Sequence, residues 1–380
     1  MKYLFNHAHL IIDGNKEYID GALLVEDEHI IEAYPNANKV DVDTSEYKII
    51  DCSGCVIMPG FFDTHLHGIK NISFDTANKE ELDKATLELA KSGTTSFIPS
   101  LSYDCDSADF DARFKLFENY EGEYCRFEGF HLEGPFISDK HLGIAHPDKI
   151  KKPDINLVKD ILSKTDKLRQ MTIAYELDGA KEIGKLLKEN GVKVMCGHSD
   201  ACLSDLDENV DGFTHLFNAM RGLHHRDITL INCAFMNKWN VELIADGNHV
   251  ERNVLKLVLN NIDRDKIMLV SDSSTARGLE DGEHIFLSNR CFKNGTVFKT
   301  DTGHFAGSVV SINDEIKVLK ELGAKYTDLL MYSSLNIFKF YNLDQKYGSL
   351  IKGKSSDIVI MDEDLNIKKV LVKGKLIEIS

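Results

Sequence analysis

Short apolar runs separated by polar turns and helical periods recur eight times through the middle of this chain, and that alternation most narrows what it can fold into. The runs cover residues 61–66, 95–101, 127–132, 170–176, 192–196, 212–216, 241–245 and 266–270. Between many of them the apolar residues fall three or four apart, as at Leu82, Ala85 and Leu89, or in AKEIGKLLKENG (180–191), where Gly191 suits the residue just past a helix end. Strands alternating with helices predict a parallel sheet with helices packed outside it. Eight repeats over about 290 residues suit a (β/α)8 TIM-type barrel better than an open doubly wound sheet. Neither GxGxxG nor a P-loop occurs, which weighs against a dinucleotide or nucleotide fold.

The two ends differ from the middle. Residues 1–58 read as short strands between polar turns, and 349–380 have the same texture. Each end alone is too small to bury a core, so pairing them into one small β domain, a β-sandwich built from both termini, is the simplest expectation. The predicted division is 1–58 and 349–380 for that domain and 59–348 for the barrel.

Composition excludes several functions. With 45 basic and 61 acidic residues the net charge is −16, so phosphate backbones would meet a repulsive surface and a nonspecific nucleic-acid binder is excluded. Apolar residues at 43% and charged residues at 28% suit a chain with a large core. No run approaches the ~20 apolar residues of a membrane helix, and the opening MKYLFNHAHLIIDGNK lacks the apolar centre of a signal peptide, which predicts a soluble, cytoplasmic protein. Eight cysteines are scattered at 52, 55, 105, 125, 196, 202, 233 and 291 and read as reduced thiols. The lone C-x-x-C, Cys52 to Cys55, has no second pair to make a zinc ribbon and reads as structural.

The chemistry-bearing residues collect at strand ends. His65 and His67 end the first run, Glu133 the third, His198 the fifth and His215 the sixth, while His249 follows the seventh and Asp272 the eighth. In a barrel these ends meet on the face that carries active sites. Residues two apart on a strand point the same way, so His65 and His67 can both turn into the mouth, and the imidazole and carboxylate set suits a divalent metal.

Here the sequence resembles the amidohydrolase superfamily and, within it, the N-acetylglucosamine-6-phosphate deacetylases. The resemblance rests on PGFFDTHLHG (59–68), HLEGPF (131–136), GHSDA (197–201), THLFNAM (214–220), HHRD (224–227), IADGNHV (244–250), LVSDSS (269–274) and FAGS (305–308). It implies that Glu133, His198 and His215 hold a catalytic metal with a position open for water, and that His65 and His67 hold a second ion bridged through Glu133. Zinc is the first expectation, with iron, manganese or cobalt as alternatives and one or two ions per subunit. Asp272 is expected to shuttle the proton, and His146 in GIAHP, next to Ala145, to contact the substrate, with His141 as its nearby competitor in a loop one residue longer than the family's.

For the phosphate, the resemblance implies Arg226 and His249, and for the sugar Asn218, Ala219, Asp246, Gly247, Asn248, Phe305, Ala306 and Gly307. His224 and His225 read as a polar loop beside Arg226 rather than a third metal site. The chain departs from the family pattern at Ser273-Ser274-Thr275 and at Gly303-His304-Phe305, near where acetyl group or sugar would rest. The implied activity is hydrolysis of the acetamido group of N-acetylglucosamine 6-phosphate, in a homodimer with part of the phosphate site supplied across the interface. Its rivals are the galactosamine epimer, a dihydroorotase-like amidase and a non-catalytic scaffold. Retention of the whole ligand set opposes the scaffold, and the want of a lysine at a strand end opposes the amidase.

Overall fold

All eight apolar runs become parallel strands in the computed structural model, which describes residues 1–102, 107–377 and 379. They are Phe61–Asp63, Thr94–Phe97, Phe130–Glu133, Leu168–Ile173, Lys193–Cys196, Gly212–Phe213, Asn240–Leu243 and Ile267–Leu269. Pairing follows sequence order: the first strand lies beside the second, Ser100–Ser102 carries the second on to the third, and the third to eighth are successive neighbours. Backbone contacts join the last strand's end to the first's. Leu66 bridges Ser273 in parallel, and the Asp272 N–H donates to the His65 carbonyl at 2.7 Å. Below them the Ser271 hydroxyl donates to Asp63 Oδ2 at 2.5 Å. The outcome is a mixed α/β, TIM-like fold.

Helices follow because their apolar stripes need this sheet. Leu82, Ala85 and Leu89 of helix Lys79–Lys91 are fully buried, and Asn78 caps it, accepting from the Glu81 N–H while Glu81 accepts from the Asn78 N–H. Helix Ala180–Glu189 ends as its sequence predicts, with Gly191 at φ +75° donating to the Lys188 carbonyl. Inside the ring, Phe62, Met195 and Met268 pack on Phe338 and Tyr341, so the segment around helix Asn336–Phe340 fills the end opposite the ligand residues. Among the described residues no helix separates the fifth and sixth strands.

The two chain ends share one continuous sheet, eight strands among the described residues. Cys55–Pro59 joins them, lying parallel to Lys2–Asp13 and antiparallel to Ile358–Asp362. One face gathers Phe5, Leu10, Leu23, Ile57, Ile358 and Leu371 into a core of its own. Val56, Met58, Val359, Met361 and Val370 face the other way and join the main core, which fixes this sheet to the α/β body. Cys52 is buried and burial pushes its thiol up to about 12, against redox use. Seven described cysteines are free thiols, as expected, and Cys105 lies outside the described residues.

One element was not anticipated. Strands Gly282–Phe286, Asn289–Asn294 and Val297–Thr300 form a small antiparallel sheet after the eighth strand. Its second turn carries Gly295 at φ +58°, a legible hairpin signal, but its first holds Leu287 and Ser288 at φ +46° and +61° with no glycine or asparagine to announce it. No helix among the described residues is long and apolar enough to cross a membrane.

Candidate metal centre

His65 and His67 follow the first strand, and both are buried as their two-residue spacing predicts. Glu133 is the last residue of the third strand. His198, His215 and Asp272 stand just beyond their strands at φ +46°, +28° and +48°, left-handed values that ordinary side chains avoid. At Asp272 the strained backbone is held from both sides, its N–H donating to the His65 carbonyl and its carbonyl accepting from the Ser308 N–H, each at 2.7 Å.

Glu133 is the hub. Its Oε1 lies 3.1 Å from His198 Nε2, 3.2 Å from His215 Nε2 and 3.3 Å from His65 Nε2, and its Oε2 lies 3.1 Å from His67 Nε2. Asp272 Oδ1 stands 3.7 Å from His65 Nε2 and 3.5 Å from His67 Nε2. Two sets have ligand atoms within 4.8 Å of one another: His65, His67 and Glu133, and Glu133, His198 and His215. The structure thus brings together all six residues that the sequence assigned to the metals and the proton shuttle, and among the described residues no third set includes His224 or His225.

The donor chemistry fits a divalent ion. His198 Nδ1 lies 2.8 Å from the His141 carbonyl, which can only accept, so Nδ1 carries a proton and Nε2, 3.1 Å from Glu133 Oε1, is the nitrogen turned toward an ion. Glu242 Oε2, 3.2 Å from His65 Nδ1, fixes that ring in the same sense. The buried His65 Nε2 has no hydrogen-bond partner, its approach to Glu133 being a contact without hydrogen-bond geometry. Nitrogen lone pairs crowded on a carboxylate repel unless a cation joins them. The electrostatics favour positive charge at this place: burial acts to raise the Glu133 carboxyl, but the surrounding imidazoles hold it well below the usual range. Burial disfavours a charged His65, yet Glu133, Glu242 and Asp272 raise it well above its ordinary value.

Behind this cluster lies a polar layer that sequence reading missed. His131 lies 2.8 Å from both Ser100 Oγ and Thr172 Oγ1, and burial, with His65 beside it, holds it neutral. Ser102 Oγ sits 3.4 Å from His67 Nδ1. Glu242, fully buried, shows in the sequence only as a single charge within an apolar strand.

A cavity of about 570 Å³ opens over the centre. Asn218, Ala219, His249, Phe305 and Gly307 line it, together with Phe286 and Leu287 from the unanticipated hairpin. Ala145 and His146 line an adjoining, largely apolar cavity of about 80 Å³ that shares Glu133 and His198. His146 Nε2 is buried there without a partner. Asp246 lies behind His249: Oδ1 accepts from the Asn248 and His249 N–H groups and Oδ2 faces His249 Nδ1, each at 2.8 Å. Its carboxylate therefore shapes the loop. Gly247, Asn248 and Ala306 do not line the main cavity, and neither does Arg226, an exposed residue whose Nη1 meets His225 Nε2 at 2.6 Å.

Comparison with known proteins agrees with this geometry. The sequence profile of the amidohydrolase family matches residues 56–377. N-acetylglucosamine-6-phosphate deacetylase of Bacillus subtilis (strain 168) is 31% identical over 86% of this chain and 85% of its own length. N-acetylgalactosamine-6-phosphate deacetylase of Escherichia coli O157:H7 is 28% identical over 84% of this chain and 87% of its own. Among solved structures, the N-acetylglucosamine-6-phosphate deacetylase of Pasteurella multocida superposes with a TM-score of 0.91 at 22% identity, over 99% of both chains, a likeness of fold.

Proposed function

The chain belongs to the amidohydrolase family, and from that premise we propose that it hydrolyses N-acetyl-D-glucosamine 6-phosphate to D-glucosamine 6-phosphate and acetate. The observation that carries the reading is the convergence of His67, Glu133, His198, His215 and Asp272 on the floor of one cavity, with the buried His65 beneath them. The named activities of the relatives supply the substrate class, an amino-sugar phosphate.

Glu133, His198 and His215 would hold the principal ion, and His65 and His67 with Glu133 a second, zinc first among the candidates. When bound, a divalent ion supplies Lewis-acid polarisation of the attacking water and of the amide carbonyl. Asp272 takes a proton from that water as its oxygen bonds to the acetyl carbon. It returns the proton to the sugar nitrogen as the C–N bond breaks, because an amine leaves far more easily than its anion. His146 donates to the developing oxyanion. His249, held by Asp246, and Arg226 meet the phosphate, while Asn218, Ala219 and the turn at 305–307 enclose the sugar.

The same reading casts the α/β body, residues 59–348, as a (β/α)8 barrel and the terminal sheet as a small β-sandwich domain of residues 1–58 and 349–380. It sets the enzyme in cytoplasmic amino-sugar catabolism and cell-wall sugar recycling, as a homodimer. Arg226, away from its own chain's cavity and flanked by the exposed apolar Leu223 and Ile228, supports a phosphate site completed by a second copy.

The test is acetate release from both N-acetylated sugar 6-phosphates, before and after chelation. The gluco substrate should be the faster, with activity lost on chelation and restored by zinc. No acetate from either would overturn the reading, and a faster galacto substrate would reassign the epimer.

A further inference from the structure

Glu242 is a carboxylate placed where such a fold ordinarily puts an apolar side chain. It sits within the seventh strand, between Val241 and Leu243, which both face the main core, so Glu242 points the other way, into the ring. It is fully buried, and ionised carboxylates are costly to bury unless each oxygen is satisfied. Both oxygens here are engaged. Oε1 accepts from Gln170 Nε2 at 2.7 Å, and Oε2 faces His65 Nδ1 at 3.2 Å. Gln170 is itself fixed, its carbonyl oxygen accepting from the Tyr341 hydroxyl at 2.5 Å.

This chain of contacts sets His65 in two ways. A carboxylate can only accept from the ring, so it places the proton on Nδ1 and leaves the Nε2 lone pair toward Glu133 and Asp272. The His131 ring, 4.8 Å away and nearly perpendicular, limits its rotation. The other imidazoles have weaker backing. His198 has a backbone carbonyl at Nδ1, and the buried His215 Nδ1 has no hydrogen-bond partner. A carboxylate behind an imidazole makes it the more basic ligand.

We propose that Glu242 is a positioning residue that orients His65 and strengthens it as a ligand of the second ion, with Gln170 and Tyr341 holding Glu242 in place. The proposal rests on the reading that His65 and His67 bind an ion at all. It predicts that the occupancy of that ion, and not of the one at Glu133, His198 and His215, depends on a side chain that touches neither.

The experiment is titration of metal-free full-length protein with Zn2+ and with Co2+, following stoichiometry by metal analysis after equilibrium dialysis and the Co2+ visible spectrum. Wild type should take two ions per chain. Glu242→Gln keeps the shape and removes the charge. It should bind the first ion as wild type does and the second about 10- to 100-fold more weakly. In a His65→Asn background the same substitution should change nothing further, because its route to the ion is gone. Should Glu242→Gln fail to fold, Tyr341→Phe carries the test, with a smaller loss of about threefold confined to the second ion. Two ions bound with wild-type affinity by these variants would overturn the role of Glu242 alone. Wild type binding one ion would overturn the second site and this proposal with it, and binding none would also remove the metal-dependent function.

Discussion

At the scale of single residues the site was legible because its ligands are few, chemically distinctive and embedded in spaced motifs. His65 and His67 stand two apart, and Glu133 is framed by Leu132, Gly134 and Pro135. Asp272 carries the most direct prediction. Replacing it with Asn leaves the metal-facing geometry but removes the proton acceptor, so turnover should fall by about 10²- to 10⁴-fold with metal content unchanged. Steady-state kinetics beside metal analysis checks both, and near-normal turnover in a metal-replete variant would end the proton-shuttle assignment. What could not be read was each ring's backing. Glu242 and His65 lie 177 positions apart, and nothing local marks a strand glutamate as the partner of a histidine on another strand.

At the scale of elements, alternation of apolar and polar residues located all eight parallel strands, and most departures were at their ends. The reading of 212–216 as strand, for example, gave way to Gly212–Phe213, because His215 leaves the extended region to face the cavity. The hairpin between 282 and 300 escaped because Leu287 and Ser288 make its first turn without the usual residues. The turn between Lys48–Asp51 and Cys55–Pro59 offers a test by pH. Buried Cys52 has its thiol raised from 9.0 to about 12, so the folded state keeps it neutral where the unfolded chain ionises. Its contribution is complete below pH 9 and is lost as pH rises from 9 toward 12. By pH 10.5 wild type should lose about 2 kcal/mol that Cys52→Ala retains. Urea unfolding at pH 8 and 10.5 measures it, and equal losses in both proteins would contradict the burial argument.

At the scale of the whole molecule, contacts distant in sequence decide how the terminal sheet seats on the α/β body. Arg126 is a link: its Nε meets Asp357 Oδ2 at 2.5 Å and its Nη2 meets Glu28 Oε2 at 2.8 Å, so one guanidinium beside the third strand holds both chain ends. Burial disfavours its charge, but Asp357 and Glu28 outweigh that and raise its pKa. Arg126→Ala should cost about 3 kcal/mol by leaving the largely buried Asp357 unpaired, seen as a lower urea midpoint with the first-ion affinity intact. Assembly has its own test. On the proposed homodimer, Arg226→Ala and Asp272→Asn chains should each be nearly inactive, yet a mixture refolded together should recover part of the activity, since a mixed dimer would have one complete site. No recovery in verified mixed dimers would place Arg226 in its own chain's site.

The sequence by itself determined the order of strands and helices and the identity of the ligand-type residues. Both are local properties, set by side-chain periodicity and by which atoms can bind a cation. Tertiary structure alone decided that Glu133 sits among four imidazoles, that Glu242 and His141 fix the rings behind them, and that Arg226 lies outside its own cavity. Those outcomes depend on how strands far apart in sequence come together and on which interior-facing side chains then meet, and no stretch of sequence short enough to read by pattern contains both partners.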